Sequence, residues 1–244
     1  MSNEIIEAIN NIGAHRRWAL NSPPMQLGLS DFPFLNLSFS IYGEDLLLVG
    51  MLKDKIKTKT PGFYIDLGSA HPRQASNSYL FYCFGWRGIC IDANPMYAAE
   101  YPQTRPNDIF VQAAVSQRPQ QLYFAKHRHN LGMSKVVASP EVDGDFAPAI
   151  PVPSATLRDI LQTHLPAGTE IDFLSLDIED GELGALESND WDRFSPQVIL
   201  METHGIDFER PREYPTVAYL LERGYRYLSI VGPNVLMCRA NASS

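Results

Sequence analysis

The sequence predicts an α/β fold: an open, mostly parallel sheet with a C-terminal antiparallel hairpin and an N-terminal helical extension. Three observations predict it. Short apolar runs rich in β-branched and aromatic residues alternate with helical patterns, the order that builds a parallel sheet. The run Phe63–Leu67 breaks through Asp66 and Gly68 into a polar turn, and Ser76-Asn77 can cap a helix opening near Ser78. The last two runs, Tyr225–Val231 and Val235–Cys238, are joined only by Gly232-Pro233-Asn234, too little chain for a parallel crossover.

In order, residues 1–20 read as a helix, because Ile5, Ile6, Ile9 and Ile12 recur on one face. Residues 21–40 are irregular, with Pro23, Pro24 and Pro33 as breakers. Residues 1–40 are therefore taken as an extension and residues 41–244 as the α/β domain. Gly43 to Lys57 reads as a helix with Leu46, Leu47, Met51 and Leu52 in one stripe; Glu44 and Asp45 sit in its first turn, where the helix dipole favours anions. The first strand is Phe63–Leu67, and a helix follows from Ser78 to Phe84. Gly85-Trp86-Arg87-Gly88 turns into a strand, Ile89–Ile91, that ends at Asp92. A short helix, Met96–Tyr101, leads through an Arg-Pro-Asn-Asp turn to a third strand, Ile109–Val115. Leu122–Ala125 is an extra strand. Residues 126–150 have no clear period and read as a loop, the kind of insertion that serves as a lid or binds substrate. Val152–Ala155 is extended, and Ser154 or Thr156 caps a helix running to Leu165. Strands Ile171–Leu176 and Val198–Met201 end at Asp177 and Glu202, with a helix Glu182–Ser188 between them. Pro215 opens the last helix and Gly224 closes it.

Composition narrows the function classes. The chain has 244 residues, 45% of them hydrophobic and 20% charged, which suits a globular protein with a real core. A net charge of −8 and a pI near 5.2 argue against general nucleic-acid binding, which rests on neutralising phosphates. The one basic run, Lys53 to Lys59, reads as a solvated helix end. Cys83, Cys90 and Cys238 match no zinc or redox spacing, and buried reduced thiols in a cytoplasmic protein are expected. No basic stretch with a following apolar core marks a signal peptide, and no apolar run suffices to span a bilayer.

The strand ends point to a ligand. In open parallel sheets ligands lie beyond the carboxyl ends of the strands, and an acid after strand two accepts hydrogen bonds from ribose hydroxyls. Asp92 holds that place. NAD, FAD and S-adenosylmethionine (SAM) share the requirement, and the first turn separates them. A pyrophosphate calls for G-x-G-x-x-G, whereas Gly68-Ser69-Ala70-His71-Pro72-Arg73 has one glycine, and no G-x-x-x-x-G-K-[ST] run occurs. SAM, which carries no phosphate, fits better, with Asp66 toward its amino-acid end and Asp92 on its ribose. An ordinary strand-to-helix turn remains the competing reading for the turn itself.

These residues carry a resemblance. Asp66-Leu67-Gly68-Ser69-Ala70-His71-Pro72, then Ser76–Phe81, then Gly85–Pro95 resembles the FkbM family of SAM-dependent methyltransferases. It is similar above all to the branch with Gly-Ala-x-x-Pro followed by Ser-Asn-Thr. Tyr42–Asp45 upstream and Asn130–Ser134, Leu176–Glu182 and Met201–His204 downstream extend the resemblance over residues 41–239. Ser69 stands for the usual Ala, Ser78 for Thr, and Asp180 is an insertion or a shift in Asp-x-Glu-Gly-x-Glu. The resemblance implies a class I, Rossmann-like SAM methyltransferase domain. It also implies a cofactor site drawn from Glu44, Asp66, Gly68, Ser69, Ala70, His71, Ser76, Asn77, Asp92, Ala93, Asn94, Gln112 and Asp177. The implied reaction is O-methylation of a sugar or glycosylated metabolite, such as a cell-surface polysaccharide or natural product. The alternatives are a polyketide or lipid hydroxyl, or a non-catalytic SAM-binding partner protein. The implied partner is a small-molecule or glycan acceptor; a homo-oligomer is left open, and neither nucleic acid nor membrane insertion is expected from the charge and the apolar runs.

Methyl transfer to a hydroxyl needs alignment and a way to remove a proton from a weak acid. Asp177, Glu179, Glu202 and His204 are the catalytic candidates, at the ends of the fourth and fifth strands. In one reading His204 or Asp177 is the general base. In the other, Asp177, Glu202 and His204 hold a divalent cation, Mg or Mn, that acidifies the hydroxyl. Each candidate also has a plainer reading. Asp177 and Glu179 can cap a helix, Glu182 can be a helix-turn residue, and His204 can be a satisfied structural histidine. Ser134, His127 and His129 fall in the loop assigned to the acceptor, and Arg16, Arg17 and Trp18 in the extension.

Overall fold

The computed structural model describes Pro33, residues 35–207 and residues 209–240. The expected helix over residues 1–20 lies outside the described residues. The chain divides into two units, residues 1–37 and residues 38–244, and the second is described here.

Its centre is a seven-stranded sheet. The strands are β1 (Phe63–Leu67), β2 (Arg87–Asp92), β3 (Ile109–Gln112), β9 (Phe173–Leu176), β10 (Val198–Glu202), β11 (Tyr225–Val231) and β12 (Asn234–Arg239), in the order β11-β12-β10-β9-β1-β2-β3. All pairs from β3 to β10 are parallel; β12 runs antiparallel to both β10 and β11, as the short connection dictates. The order reverses beside β1, where the end of that strand, Leu67, lies between Ile91 of β2 and Leu176 of β9. Such a switch point opens a crevice over the strand ends.

Alternation along the strands sets the layers. Ile65, Leu67, Ile89, Ile91, Leu174 and Ile199 meet α5 (Leu157–His164), α6 (Glu182–Glu187) and α7 (Pro215–Glu222) on one face. Tyr64, Cys90, Phe173 and Leu200 meet α1 (Glu44–Met51), α3 (Tyr79–Cys83) and α4 (Glu100–Thr104) on the other. Thr156, not Ser154, caps α5, its side chain accepting from Asp159 N at 3.0 Å.

Several expectations are corrected. The Gly43–Lys57 helix breaks at Leu52 into α1 and α2 (Lys53–Lys57). Its basic end is not wholly solvated, since Lys55 pairs at 2.5 Å with the buried carboxylate of Asp172. The third strand stops at Gln112, and β4 (Ala114–Val115) turns away to pair with β8 (Ser154–Ala155). Residues 126–150 are not a loop throughout: β6 (Lys135–Val137) pairs antiparallel with β5 (Leu122–Ala125), whose other edge takes β7 (Ile150–Val152). Three-residue strands are too short to show a period. Cys83, at the end of α3, is exposed, whereas Cys90 and Cys238 are buried; all three are free thiols. No helix among the described residues is long and apolar enough to cross a membrane.

Candidate active site

The turn after β1 is shaped by backbone needs. Gly68 takes a φ of +80°, and a Cβ there would sit 1.6 Å from the Asp177 carbonyl oxygen. Only glycine lets the loops after β1 and β9 approach this closely. The Gly68 and Ser69 amides donate to Ile91 O, and Ala70 and Ala75 also adopt positive φ. His71 Nδ1 accepts from the amides of Arg73 and Gln74 at 3.1 and 3.0 Å, closing the bend. Ser76 Oγ accepts from Tyr79 N, and Asn77 Nδ2 donates to Ser175 Oγ.

Beneath this loop lies a buried polar hub. The Arg105 side chain is fully buried and pairs with Asp108 at 2.7 Å. It donates to Tyr64 Oη at 2.8 Å and Ser78 Oγ at 2.9 Å. Ser78 in turn donates to Asp66, whose burial raises its pKa. Asp66 thus lies on the Tyr64 face of β1, tied to Ser78. Glu44 is likewise occupied below the surface: it accepts from Tyr42 N at 2.7 Å and Asn234 Nδ2 at 3.0 Å, fixing α1 to the C-terminal hairpin.

Two adjoining cavities, about 420 and 360 Å³, cover the strand ends. Gly68, Asp92, Ala93, Ile178 and Glu179 line both. The first extends past Ala113–Gln117 beyond β3; the second extends past Ala70, Asn94, Asp177 and Glu202. Glu44, Asp66, Ser69, His71, Ser76, Asn77 and Gln112 are not among the lining residues of either cavity. Asp92 accepts from Ala70 N at 2.8 Å and Asn94 N at 2.7 Å, and burial pushes its pKa up to about 6 despite those bonds.

The opposite wall is acidic. Glu179 and Asp180 both hold positive φ, which bends the chain sharply after β9. Asp177 and Glu202 face each other; burial first, and then Glu202, push the Asp177 pKa up to about 8. Burial also raises Glu202 and Glu179. His204 Nε2 lies 3.1 Å from Glu202 Oε2 and 3.6 Å from Glu179 Oε2. One donor atom each from Glu179, Glu202 and His204 fall within 4.8 Å of one another. Glu202 Oε2 is buried with no hydrogen-bond donor aligned on it. The tight set therefore contains Glu179 where the sequence suggested Asp177, which reaches the group through Glu202. These donors suit a hard divalent cation or a proton relay.

Sequence reasoning missed the Arg105–Asp108 hub and Lys135, which lines both cavities. The Arg-Pro-Asn-Asp turn held the first signal: an Arg three residues before an Asp, ahead of a strand. Lys135 had none, because the strand carrying it was not recognised.

The sequence profile of the methyltransferase FkbM domain matches residues 66–227. No curated protein matches the sequence. Similar solved structures include a 1,6-didemethyltoxoflavin-N1-methyltransferase from Burkholderia thailandensis with bound 1,6-didemethyltoxoflavin and S-adenosylhomocysteine. It is 13% identical over 81% of this chain and 77% of that chain, with a TM-score of 0.38. Another is apo CalS11, a TDP-rhamnose 3'-O-methyltransferase of calicheamicin biosynthesis, 10% identical over 91% of this chain and 90% of that chain, with a TM-score of 0.40.

Proposed function

The chain belongs to the FkbM methyltransferase family, and on that premise we propose that it is an O-methyltransferase acting on a hydroxyl of a sugar or glycosylated metabolite. In this reading residues 41–244 are the catalytic domain of a cytoplasmic enzyme, and residues 1–40 its extension. When bound, SAM supplies a sulfonium methyl already activated for displacement. The chain can accommodate it: Gly68 lets the loops after β1 and β9 close together into a cleft floor, and Asp92 lines the cavity where ribose hydroxyls need an acceptor.

The observation that carries the reading is the convergence of Glu179, Glu202 and His204 after β9 and β10, with Glu179 and Glu202 lining the cavity that Asp92 also lines. The acceptor hydroxyl gives its proton to the Glu202–His204 pair as its oxygen takes the methyl. Asp177, sharing a proton with Glu202, keeps that carboxylate oriented. A second reading is favoured by the three ligand atoms clustered on Glu179, Glu202 and His204: they would hold a divalent cation, which would lower the pKa of the acceptor hydroxyl.

Thermal shift with SAM, S-adenosylhomocysteine and NAD tests the cofactor. Stabilisation by NAD alone sinks the proposal. The His204→Ala variant is expected to lose about 10²–10⁴-fold in turnover against a panel of glycosides, while SAM affinity stays within a few-fold. Loss of activity in EDTA, restored by Mg²⁺ or Mn²⁺, would decide for the cation reading.

A further inference from the structure

Three large apolar side chains stand exposed at the mouth of the cavity that Asp177 and Glu202 line. Ile41 is 54% exposed, Leu131 45% and Met133 53%, and all three are lining residues of that cavity. Phe124 and Tyr97, both buried, continue the apolar surface inward. Leu131 and Met133 belong to a 3₁₀ turn, Leu131–Met133, that is fastened at both ends. Asn130 Oδ1 accepts from Gly132 N at 3.1 Å, His127 Nδ1 accepts from Asn130 N at 3.0 Å, and Ser134 Oγ accepts from His127 N at 3.1 Å. Those bonds hold the turn in place with its apolar side chains in water. Exposed apolar side chains lining one cavity above a polar floor mark a binding surface.

The charge in the same cavity is one-sided. Asp92, Asp177, Glu179 and Glu202 supply carboxyl groups, and Lys135 is the sole basic residue among the lining residues. Its ammonium lies 5.2 Å from the Phe146 ring centroid, and no carboxylate stands within ion-pair distance of it among the described residues. A phosphate or carboxylate on an entering acceptor would meet more like charge than opposite charge, which selects against it.

From the apolar rim and the acidic floor together, we infer that the acceptor is an uncharged molecule that carries its hydroxyl beside an apolar group, such as an alkyl or aryl glycoside. Ile41, Leu131 and Met133 are the residues that select it. This rests on the methyltransferase reading above and refines its substrate. It also places the step: a glycosyl transfer onto an apolar carrier comes before methylation, and nucleoside diphosphate sugars are not the acceptor.

The test measures binding of three probes to the full chain, with and without S-adenosylhomocysteine: octyl β-D-glucoside below its micellar concentration, glucose and UDP-glucose. Octyl glucoside is expected to bind about tenfold or more tightly than glucose, because its chain is removed from water at the rim. UDP-glucose is expected to bind no better than glucose. The double variant Leu131→Ser, Met133→Ser should weaken octyl glucoside about fivefold or more and leave S-adenosylhomocysteine affinity within about twofold. Equal binding of octyl glucoside and glucose, a preference for UDP-glucose, or an unaffected double variant overturns the inference. Failure of S-adenosylhomocysteine to bind would sink the methyltransferase reading instead; the ranking of the three probes on the unloaded protein still decides the acceptor.

Discussion

Two clusters of charge flank the glycine turn, and they are built on opposite terms. Below it, Arg105 and Asp108 are fully buried and fully engaged: the guanidinium has carboxylate, phenol and hydroxyl partners, and aromatic rings of Tyr64, Tyr79, Tyr82 and Tyr101 surround it. Above it, Asp177, Glu179 and Glu202 crowd like charge together, and the exposed His204 imidazole stands beside two of them. A buried pair with every bond made holds the loop in one shape. A crowd of carboxyls with raised pKa values costs stability, and such sites persist where binding or chemistry uses them. The difference separates residues that shape the cleft from the acidic residues to which the proposed mechanism assigns the chemistry.

The largest expected effect breaks the lower cluster. Arg105→Met leaves Asp108 buried without its cation and removes the donor to Ser78, which holds Asp66. Loss of one partner of a buried pair costs about 3–5 kcal/mol. Urea unfolding should read that loss, and SAM binding should fail with it because the loop is no longer held. A variant as stable as the parent would mean the hub is not what shapes the turn.

The upper cluster should respond in the opposite direction. The folded Asp177 pKa, about 8, lies far above its ordinary value near 4, so the native state holds this proton more tightly than the unfolded chain does. Its contribution is fully present below about pH 4 and is lost as pH rises to about 8. Asp177→Asn removes the charge and the slope together. In metal-free buffer at pH 8 the variant should gain on the order of 1–3 kcal/mol over the parent by urea unfolding. A loss there would show that the carboxylate is paired and that the two clusters are alike.

The sequence made the two clusters unequally visible. Strand ends at Asp92, Asp177 and Glu202 were legible because each closes a short apolar run, and composition changes abruptly there. The central strands, the crossover helices and the hairpin follow from the same periodicities. The sequence motif also placed Glu179 and His204 near the site. The hub was hidden because its members come from β1, from α3 and its cap, and from the turn before β3, and no local pattern links Tyr64, Ser78 and Arg105. The accessory strands were hidden by their length: β6 and β7 are three residues each. With them went Lys135 and the meaning of the apolar pair Leu131 and Met133. The place of Asp66 was hidden for a further reason. Its strand alternates, so a residue next to Leu67 points to the opposite face, toward Ser78 rather than into the cleft.

Asp92 lies between the two extremes and gives the smallest and sharpest test. It is held by two backbone amides, yet burial still lifts it to about 6. The free carboxylate therefore takes up a proton as pH falls through about 6. If it serves ribose hydroxyls, those donors favour the ionised form, and the pKa of the bound state drops. Protonation then competes with SAM. Affinity should be flat above about pH 7 and fall below about pH 6, by at most about tenfold per pH unit. Calorimetric titration of SAM at pH 5, 6 and 7.5 reads this directly. Asp92→Asn, which keeps an acceptor oxygen but cannot ionise, should bind more weakly at pH 7.5 and lose the pH dependence between 5 and 7. If the parent shows no slope in that window, or if the slope survives in Asp92→Asn, the proton belongs to another group. The ribose contact would then have to be sought among the remaining acceptors of the cleft, on the acidic wall itself.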